Sequence, residues 1–206
     1  IEKEVLLREI HHRTKNNMQL ISSLLNLQMD TIRNERAKAA LKESQSRVQA
    51  MSLAHETLYD SENLADIDFG TYLSKLTRAI FRSYKTGPGR IRLKHETEKI
   101  TIGIKQATSV GLMINELVSN ALKHAFPGNR EGEIVVRVRE TEQKSVELSV
   151  SDDGTGIPPD IEWRKAGTLG LRLIIILAEN QLGGTVHLNR EQGTTFTVSF
   201  KPNEKH

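Results

Sequence analysis

Residues 105–125 read KQATSVGLMINELVSNALKHA, and this stretch carries the strongest structural signal in the chain. Apolar residues recur along it at helical spacing, and Pro127-Gly128 follows as a stop signal. The predicted core-facing positions include Leu112, Leu117, Ala121 and Ala125. A helix with such a continuous apolar face must pack on another layer of structure.

The polar residues of this helix form a second face. Glu116, Asn120 and Lys123 fall at i, i+4 and i+7, opposite the apolar side. An amide oxygen on Asn120 suits Mg²⁺, Glu116 can hold a bridging water, and Lys123 can neutralise a phosphate. Taken alone, the same three residues also fit an ordinary solvated face.

Around this helix, short alternating segments predict a sheet. Expected strands are residues 90–94, 100–102, 133–140, 145–151, 185–189 and 194–200, and further helices are expected over 69–84 and 171–182. A turn is expected at 86–89. Strands gathered against helices in this way predict an α/β sandwich with a mixed, largely antiparallel sheet.

Three glycine-containing segments lie next to predicted strands or helices. Asp152-Asp153-Gly154-Thr155-Gly156 comes directly after a strand, where a carboxylate can accept from an exocyclic amine and glycines allow close approach to a ring. Gly167-Thr168-Leu169-Gly170-Leu171 opens a helix, whose N-terminal N–H groups suit phosphate. Gly193-Thr194-Thr195-Phe196 begins the last strand. Each segment is weak alone, since turns of this composition are common.

The first third of the chain has a different composition. It contains no Gly, Pro or aromatic residue before Tyr59, and its apolar residues recur at alternating spacings of four and three. Two long helices joined at 30–35 are expected, and two helices cannot enclose a core alone. We therefore predict an antiparallel helical hairpin over 1–64 that dimerises into a four-helix bundle, with the α/β domain over 65–206.

A cluster of polar residues lies on the first predicted helix. Glu9 and Asn16 flank His12 at helical spacings of three and four. An exposed, neutral imidazole beside a carboxylate can act as a nucleophile. A polar surface face with two histidines explains the segment equally well, and His11 is a rival to His12.

Composition excludes several classes of protein. The 206 residues include no Cys, which excludes disulfide scaffolds, thiolate zinc sites and Cys nucleophiles. The net charge of +3 does not favour nucleic acid as a partner. No apolar stretch is long enough to span a bilayer, and no signal peptide opens the chain, so we expect no membrane contact by this segment. Ile1 in place of Met indicates a fragment.

Taken in order, the motifs resemble those of a known family. Asn115 to Ala125 resembles the N box of histidine-kinase ATPase domains, and the segments starting at Asp152, Gly167 and Gly193 resemble that family's G1, G2 and final glycine motifs. On the first helix, Glu9-x-x-His12-Arg13-x-Lys15-Asn16-Asn17 resembles the dimerisation helix of the H-R-x-K-N subfamily of sensor kinases. Five motifs in the family's order are far less probable by chance than any one of them.

The resemblance implies a function and assigns roles to residues. It implies a cytoplasmic sensor histidine kinase core that binds ATP and Mg²⁺, phosphorylates His12 and passes the phosphoryl group to an aspartate of a response regulator. Asn120 would ligate Mg²⁺, Glu116 would assist through water, Lys123 would contact phosphate and Asp152 would recognise the adenine amine. Catalytic roles are expected for His12, Glu9, Asn16 and Glu116, and nucleotide contacts for Asn120, Lys123, Asp152, Gly154, Gly156, Gly167, Gly170, Leu171 and Thr194.

Departures from the family pattern leave alternatives open. Arg13 stands where most sensor kinases have an acidic residue, Asn17 replaces a proline, and the lid between Ile157 and Leu169 is short and has Trp163 in place of Phe. The alternatives are a serine kinase or mechanical ATPase of the same superfamily, which also includes DNA gyrase, and a receiver phosphatase or non-catalytic signalling module.

Overall fold

The computed structural model of the chain describes residues 2–59, 67–84, 90–165 and 169–202. Within the N-terminal helices, the description omits the side chains of residues 2–8, 10–12, 54 and 57–59. The predicted turn at 86–89 and the segment 60–66, which contains the predicted domain boundary, lie outside the described residues. Within the described parts of the chain, no helix combines the length and apolar character needed to cross a bilayer.

The N-terminal third forms the predicted antiparallel pair of helices. Helix α1 spans Glu2–Thr31 and helix α2 spans Glu35–Tyr59, so the connection is shorter than the predicted turn. Asn34 caps α2 because its side-chain oxygen accepts from two backbone N–H groups of the first turn, at 3.0 and 3.1 Å. Contacts between the helices include an ion pair of Lys15 with Glu56.

The apolar stripe of α1 is only partly covered by α2. Leu20, Leu24 and Leu27 are 62%, 53% and 64% exposed, although their spacing is that of a helix–helix seam. Ile21 is also exposed. Contiguous exposed apolar surface of this kind marks an interaction site. The stripe is the surface that the predicted four-helix bundle would bury.

The C-terminal part is an α/β sandwich with a five-stranded mixed sheet in the order β2-β4-β5-β7-β6. Its strands are β2 (Ile91–Thr97), β4 (Gly132–Glu140), β5 (Val146–Asp152), β6 (Thr185–Asn189) and β7 (Thr194–Phe200). Strands β2 and β4 pair in parallel, and the remaining neighbours pair antiparallel. The predicted mixed, largely antiparallel sheet is confirmed. A separate two-stranded ladder joins β1 (Ile67–Asp68) to β3 (Thr101–Ile102).

Three helices lie against the sheet. They are α3 (Phe69–Ser83), α4 (Ile104–Asn120) and α5 (Leu169–Ile175), and the last two continue as π-helical turns over Ala121–Ala125 and Ile176–Gln181. The core they share with the sheet includes the fully buried Phe69, Leu73, Ile114 and Ile134. The buried Tyr72 donates its hydroxyl to the carbonyl of Ala107 at 2.9 Å and so ties α3 to α4.

Sequence patterns located these elements closely but missed their details. The bounds predicted for β6 and β7 are confirmed, and so is the β4–β5 hairpin. The helix predicted over 171–182 begins at Leu169 and changes to π-helical geometry after Ile175. The segment predicted as a helix over 105–125 likewise ends in a π-helical turn. π-helical turns of this kind occur frequently at functional sites.

Helix α3 provides a simple test of this local structure. Asp68 caps the helix, since its carboxylate accepts from the backbone N–H of Thr71 at 3.1 Å and from the Thr71 hydroxyl. We expect Asp68→Ala to lower the free energy of unfolding by about 1 kcal/mol, measured by urea denaturation. Asp68→Asn is the matched control, because it keeps an accepting oxygen. Equal losses in both variants would contradict the capping role.

Candidate nucleotide-binding site

A large cavity lies between α4, the carboxyl end of β5, the start of β7 and α2. Its volume is about 1240 Å³. The predicted site residues that line it are Asn120, Lys123, Asp152, Gly156, Gly170, Leu171 and Thr194. The sheet therefore brings together residues from four separate sequence motifs in one concave site, which is the usual form of a ligand pocket.

Asn120 and Lys123 lie at the end of the long helix. Asn120 is half-buried as the last residue of α4, and Lys123 is exposed in the π-helical turn that follows. His124, also exposed, lines the same cavity. This edge of the cavity therefore offers an amide oxygen and an ammonium group, which suit a cation and an anion respectively.

Asp152 is the acidic group in the interior of the cavity. It is 8% exposed at the end of β5, and burial raises the pKa of its carboxyl. The backbone N–H of Gly154 opposes that rise by donating to Asp152 Oδ1 at 3.0 Å, and so do the backbone and hydroxyl of Thr194. The carboxylate is therefore fixed in orientation and partly desolvated, as a group that recognises a single ring amine should be.

The glycines around Asp152 are required by close packing. A Cβ on Gly154 would lie 2.4 Å from the carbonyl oxygen of Ala125, so the loop packs directly on the π-helical turn. Thr155 also donates its backbone N–H to that oxygen at 3.0 Å. Gly193, with φ of +77°, would place a Cβ 2.0 Å from the carbonyl oxygen of Asp152. Gly154 thus shapes the cavity wall without lining the cavity.

Asp153 serves a different purpose from its neighbour. Its side chain accepts from the backbone N–H of Glu133 at 2.7 Å, and its carbonyl accepts from Arg130 at 2.7 Å. Asp153 therefore ties the loop to the start of β4.

The segment over the mouth of the cavity is held by arginines. Arg190 donates to the carbonyl oxygens of Pro158 and Ile161 at 2.9 and 2.8 Å. Trp163 packs edge-on against Phe196 with ring centres 5.6 Å apart, and Arg164 lies over the Trp163 ring. The predicted site residue Gly167 lies outside the described residues.

Glu116 does not line the cavity. Its side chain is almost fully buried and pairs with Arg47 of α2, Nε to Oε1 at 2.7 Å and Nη2 to Oε2 at 2.9 Å. Arg47 also donates to Glu43 at 2.6 Å. These bonds raise the pKa of the Arg47 guanidinium, with the Glu116 hydrogen bond as the largest cause.

Glu9 and Asn16 of α1, whose side chains the structure describes, are not among the cavity-lining residues. Glu9 pairs with Arg13 one turn further along, at 2.9 Å, and both side chains are exposed. Asn16 is exposed. His12 lies on α1, but its side chain, like that of His11, is outside the described residues. Arg13 is therefore solvent-facing.

The contribution of α2 to the cavity was not predicted from sequence patterns. Lys42, Glu43, Ser46 and Gln49 of this helix line the cavity. Their spacing indicated only an exposed helix face, and the Glu43–Arg47 spacing of four indicated only a pair within the helix. The contact of Arg47 with Glu116 joins residues 69 positions apart, which no local pattern reveals.

The site fits a nucleotide with its cation. Asp152 is an oriented acceptor, glycines allow close approach, and Lys123 offers positive charge in the same cavity. Asn120 offers an oxygen to a cation, while Glu116 is engaged by Arg47. The described residues include no cluster of three His, Asp or Glu that could hold a metal ion. Mg²⁺ in protein sites usually keeps several waters and binds substrate phosphates, so Asn120 could supply a single ligand to such an ion.

Comparison with known proteins identifies both parts of the chain. The family described as "Histidine kinase" matches residues 9–84, and the family described as "Histidine kinase-, DNA gyrase B-, and HSP90-like ATPase" matches residues 105–204. The chain is 32% identical over 197 residues to the sensor histidine kinase PdtaS of Mycobacterium tuberculosis, covering 94% of this chain and 39% of that protein.

A solved structure and a more distant relative complete the comparison. The blue-light activated histidine kinase of Erythrobacter litoralis superposes with a TM-score of 0.73 at 27% identity, covering 98% of this chain and 60% of that one. The serine-protein kinase RsbW of Listeria innocua is 28% identical over only 57% of this chain and 80% of its own length. The chain thus spans about two fifths of the length of PdtaS. With both family matches in order along one fold, the chain belongs to the sensor histidine kinases.

Proposed function

We propose that the protein is an ATP-dependent histidine autokinase that phosphorylates His12 and then passes the phosphoryl group to an aspartate of a response-regulator receiver domain. In the first step an imidazole nitrogen of His12 attacks the γ-phosphorus of ATP. The bond from that phosphorus to the bridging oxygen breaks, ADP leaves, and the imidazole N–H proton passes to a base. The proposal rests on one observation above all, namely that Asn120, Lys123 and Asp152 line a single cavity.

Each side chain of the cavity has a role in this proposal. Asp152 accepts from the adenine amine, Lys123 binds phosphate, and Gly156, Gly170, Leu171 and Thr194 shape the pocket. Gly154 supports the pocket wall, and Gly167 is expected to contact the nucleotide. Asn120 would hold Mg²⁺ through its amide oxygen, Glu116 would assist through a water once Arg47 no longer pairs with it, and the cation would supply positive charge next to the phosphates. Such transfer depends on positioning and charge stabilisation more than on covalent participation of the protein.

The helical pair carries the acceptor in this proposal. Glu9 and Asn16, one turn to either side of His12, orient the imidazole. The helical hairpin over residues 1–64 dimerises through the exposed stripe of Leu20, Leu24 and Leu27, and the ATPase domain occupies 65–206. Since ATP and receiver domains meet in the cytoplasm, we place this activity there. The stripe supports the dimer because a second copy would bury it.

The chemistry of the product tests this function. The protein is incubated with Mg²⁺ and γ-labelled ATP, and the label is then exposed to acid and to base. We expect acid-labile, base-stable label, as for a phosphoramidate, mapped to His12 by mass spectrometry at neutral pH. Acid-stable label on Ser or Thr would favour the serine kinase instead, which the partial similarity to RsbW makes the second candidate. Nucleotide binding without any label would contradict both.

A further inference from the structure

The contact between α2 and α4 contains a buried ion pair in which Arg47 engages Glu116, the residue proposed to assist through a water. Only 12% of the Arg47 side chain and 4% of the Glu116 side chain are exposed. The guanidinium meets the carboxylate through two nitrogens, which is the strongest geometry for such a pair. Asn115 approaches Glu116 Oε1 at 3.4 Å as well. Both carboxylate oxygens are therefore occupied.

The same pair lies against the start of α5. A Cβ built on Gly170 would lie 2.6 Å from Glu116 Oε2 and 3.7 Å from Arg47 Nη2. Gly170 lines the cavity, and so do Glu43 and Ser46 of α2. The Arg47–Glu116 pair thus lies where α2, α4 and the start of α5 meet. Any movement of the ATPase domain along α2 must break it.

Contacts between α1 and α2 give the position of the Arg47–Glu116 pair, along the helix axis, relative to His12. Gln45 and Gln49 of α2 both reach Ser22 of α1, Gln45 Nε2 donating to the Ser22 carbonyl at 3.2 Å. Arg47 is therefore level with Ser22, ten positions beyond His12. At 1.5 Å per residue that is roughly 15 Å along the helix axis. Lys15, close to His12 in sequence, is instead level with Glu56 near the far end of α2.

This offset places the cavity nearer to Ser22 than to His12. The described α2 residues that line the cavity lie between Ala39 and Gln49, near the level of Ser22, whereas Glu56 is level with Lys15. Reacting atoms must come within roughly 3–3.5 Å of each other in line. In a bundle with two-fold symmetry along its axis, His12 of both copies lies at the same level, so the offset is the same within a chain and between chains.

From these contacts we propose that Arg47 is an interdomain latch: its ion pair with Glu116 holds the nucleotide cavity on α2, away from His12, and must open before autophosphorylation. The expected effect of the latch on autophosphorylation rests on the proposed function. The ion pair that forms the latch does not depend on it. A buried ion pair suits this purpose, because the cost of desolvating both charges offsets much of their attraction. Once the domains separate, the Glu116 carboxylate is released from Arg47 and becomes accessible to water.

The test compares Arg47→Gln with Arg36→Gln. The matched control removes an arginine from the same helix whose side chain is exposed. We expect Arg47→Gln to raise the initial rate of autophosphorylation by on the order of tenfold, within the usual range of coupling between sites. Arg36→Gln should leave the rate unchanged. A lower rate in Arg47→Gln would overturn the proposal, since it would make Arg47 a helper in the reaction.

A distance measurement tests the latch without any phosphorylation. The chain has no Cys, so Lys38→Cys on α2 and Glu142→Cys between β4 and β5 allow specific spin labelling. Wild type and Arg36→Gln should give the same narrow distance distribution, and Arg47→Gln a broader or displaced one. Identical distributions in all three would overturn the latch. A displaced distribution in a protein that takes no label would keep the latch and reject the autokinase.

A conservative variant covers the case in which Arg47→Gln folds poorly. Arg47→Lys keeps the charge but loses the two-nitrogen contact. We expect a rate and a distance distribution between those of wild type and Arg47→Gln. Wild-type behaviour in both measurements, in a folded Arg47→Lys protein, would show that the two-nitrogen pairing with Glu116 does not hold the domains, and the proposal would fail.

Discussion

His12→Gln is expected to abolish the incorporation of label from γ-labelled ATP, a loss of roughly 10³-fold or more, because removal of the atom that forms the new bond leaves no parallel route. The substitution replaces one polar residue of helix α1 with a good helix former. The fold should therefore be unaffected. The measurement is the initial rate of labelling, with circular dichroism and nucleotide affinity as checks that the ATPase domain is intact.

His11→Gln is the matched control for this experiment. Adjacent positions on an α-helix lie about 100° apart around its axis, so only one of two neighbouring residues can face an approaching nucleotide. We expect His11→Gln to keep at least roughly half of the wild-type rate, because most single substitutions outside a reacting centre have small effects. If His11→Gln lost the label and His12→Gln kept it, the acceptor would be His11. Label retained in the double variant would reject the histidine kinase altogether.

The outline of the fold could be predicted because its elements have clear periods. Alternating residues predicted β6 and β7 with their bounds, since each presents one face to the core and one to solvent. The order of strands could not be predicted, because periodicity does not say which strands pair. The parallel pairing of β2 with β4 was missed for this reason. Strand β1 was missed because two residues are too few to show a period.

The site was predictable in part for the same reason. Asn120 and Lys123 shared a predicted helix face, and Asp152 ended a predicted strand, so short-range patterns located all three. The partner of Glu116 was not predictable, because Arg47 belongs to another helix and its pairing depends on how two layers meet. The π-helical turn at Ala121–Ala125 was missed as well, since its residues have the composition of an ordinary helix.

Asp152→Asn is expected to weaken nucleotide binding by roughly 30- to 1000-fold, or about 2–4 kcal/mol. The substitution puts an amide where Gly154 and Thr194 both donate to a carboxylate, so its N–H₂ group faces donors or the adenine amine. Isothermal titration with a non-hydrolysable ATP analogue measures the loss. The neighbouring Asp153→Asn should leave affinity unchanged, because the Asp153 side chain bonds to Glu133 away from the adenine position.

We expect Asp152→Asn and Asp153→Asn to have different effects on the free energy of unfolding. Burial raises the pKa of Asp152 above its value in the unfolded chain, so its ionisation costs stability at neutral pH, and that cost disappears as the pH falls through the raised pKa. A neutral Asn avoids the cost, and we expect Asp152→Asn to unfold at an equal or higher urea concentration than wild type. Asp153→Asn should instead lose about 0.5–1.5 kcal/mol, because a charge-assisted bond to the Glu133 N–H becomes a neutral one.

Lost binding with lost stability in Asp152→Asn would mean that the carboxylate holds the loop together. Lost binding with retained stability would mean that it is kept, at a cost to the fold, for the nucleotide.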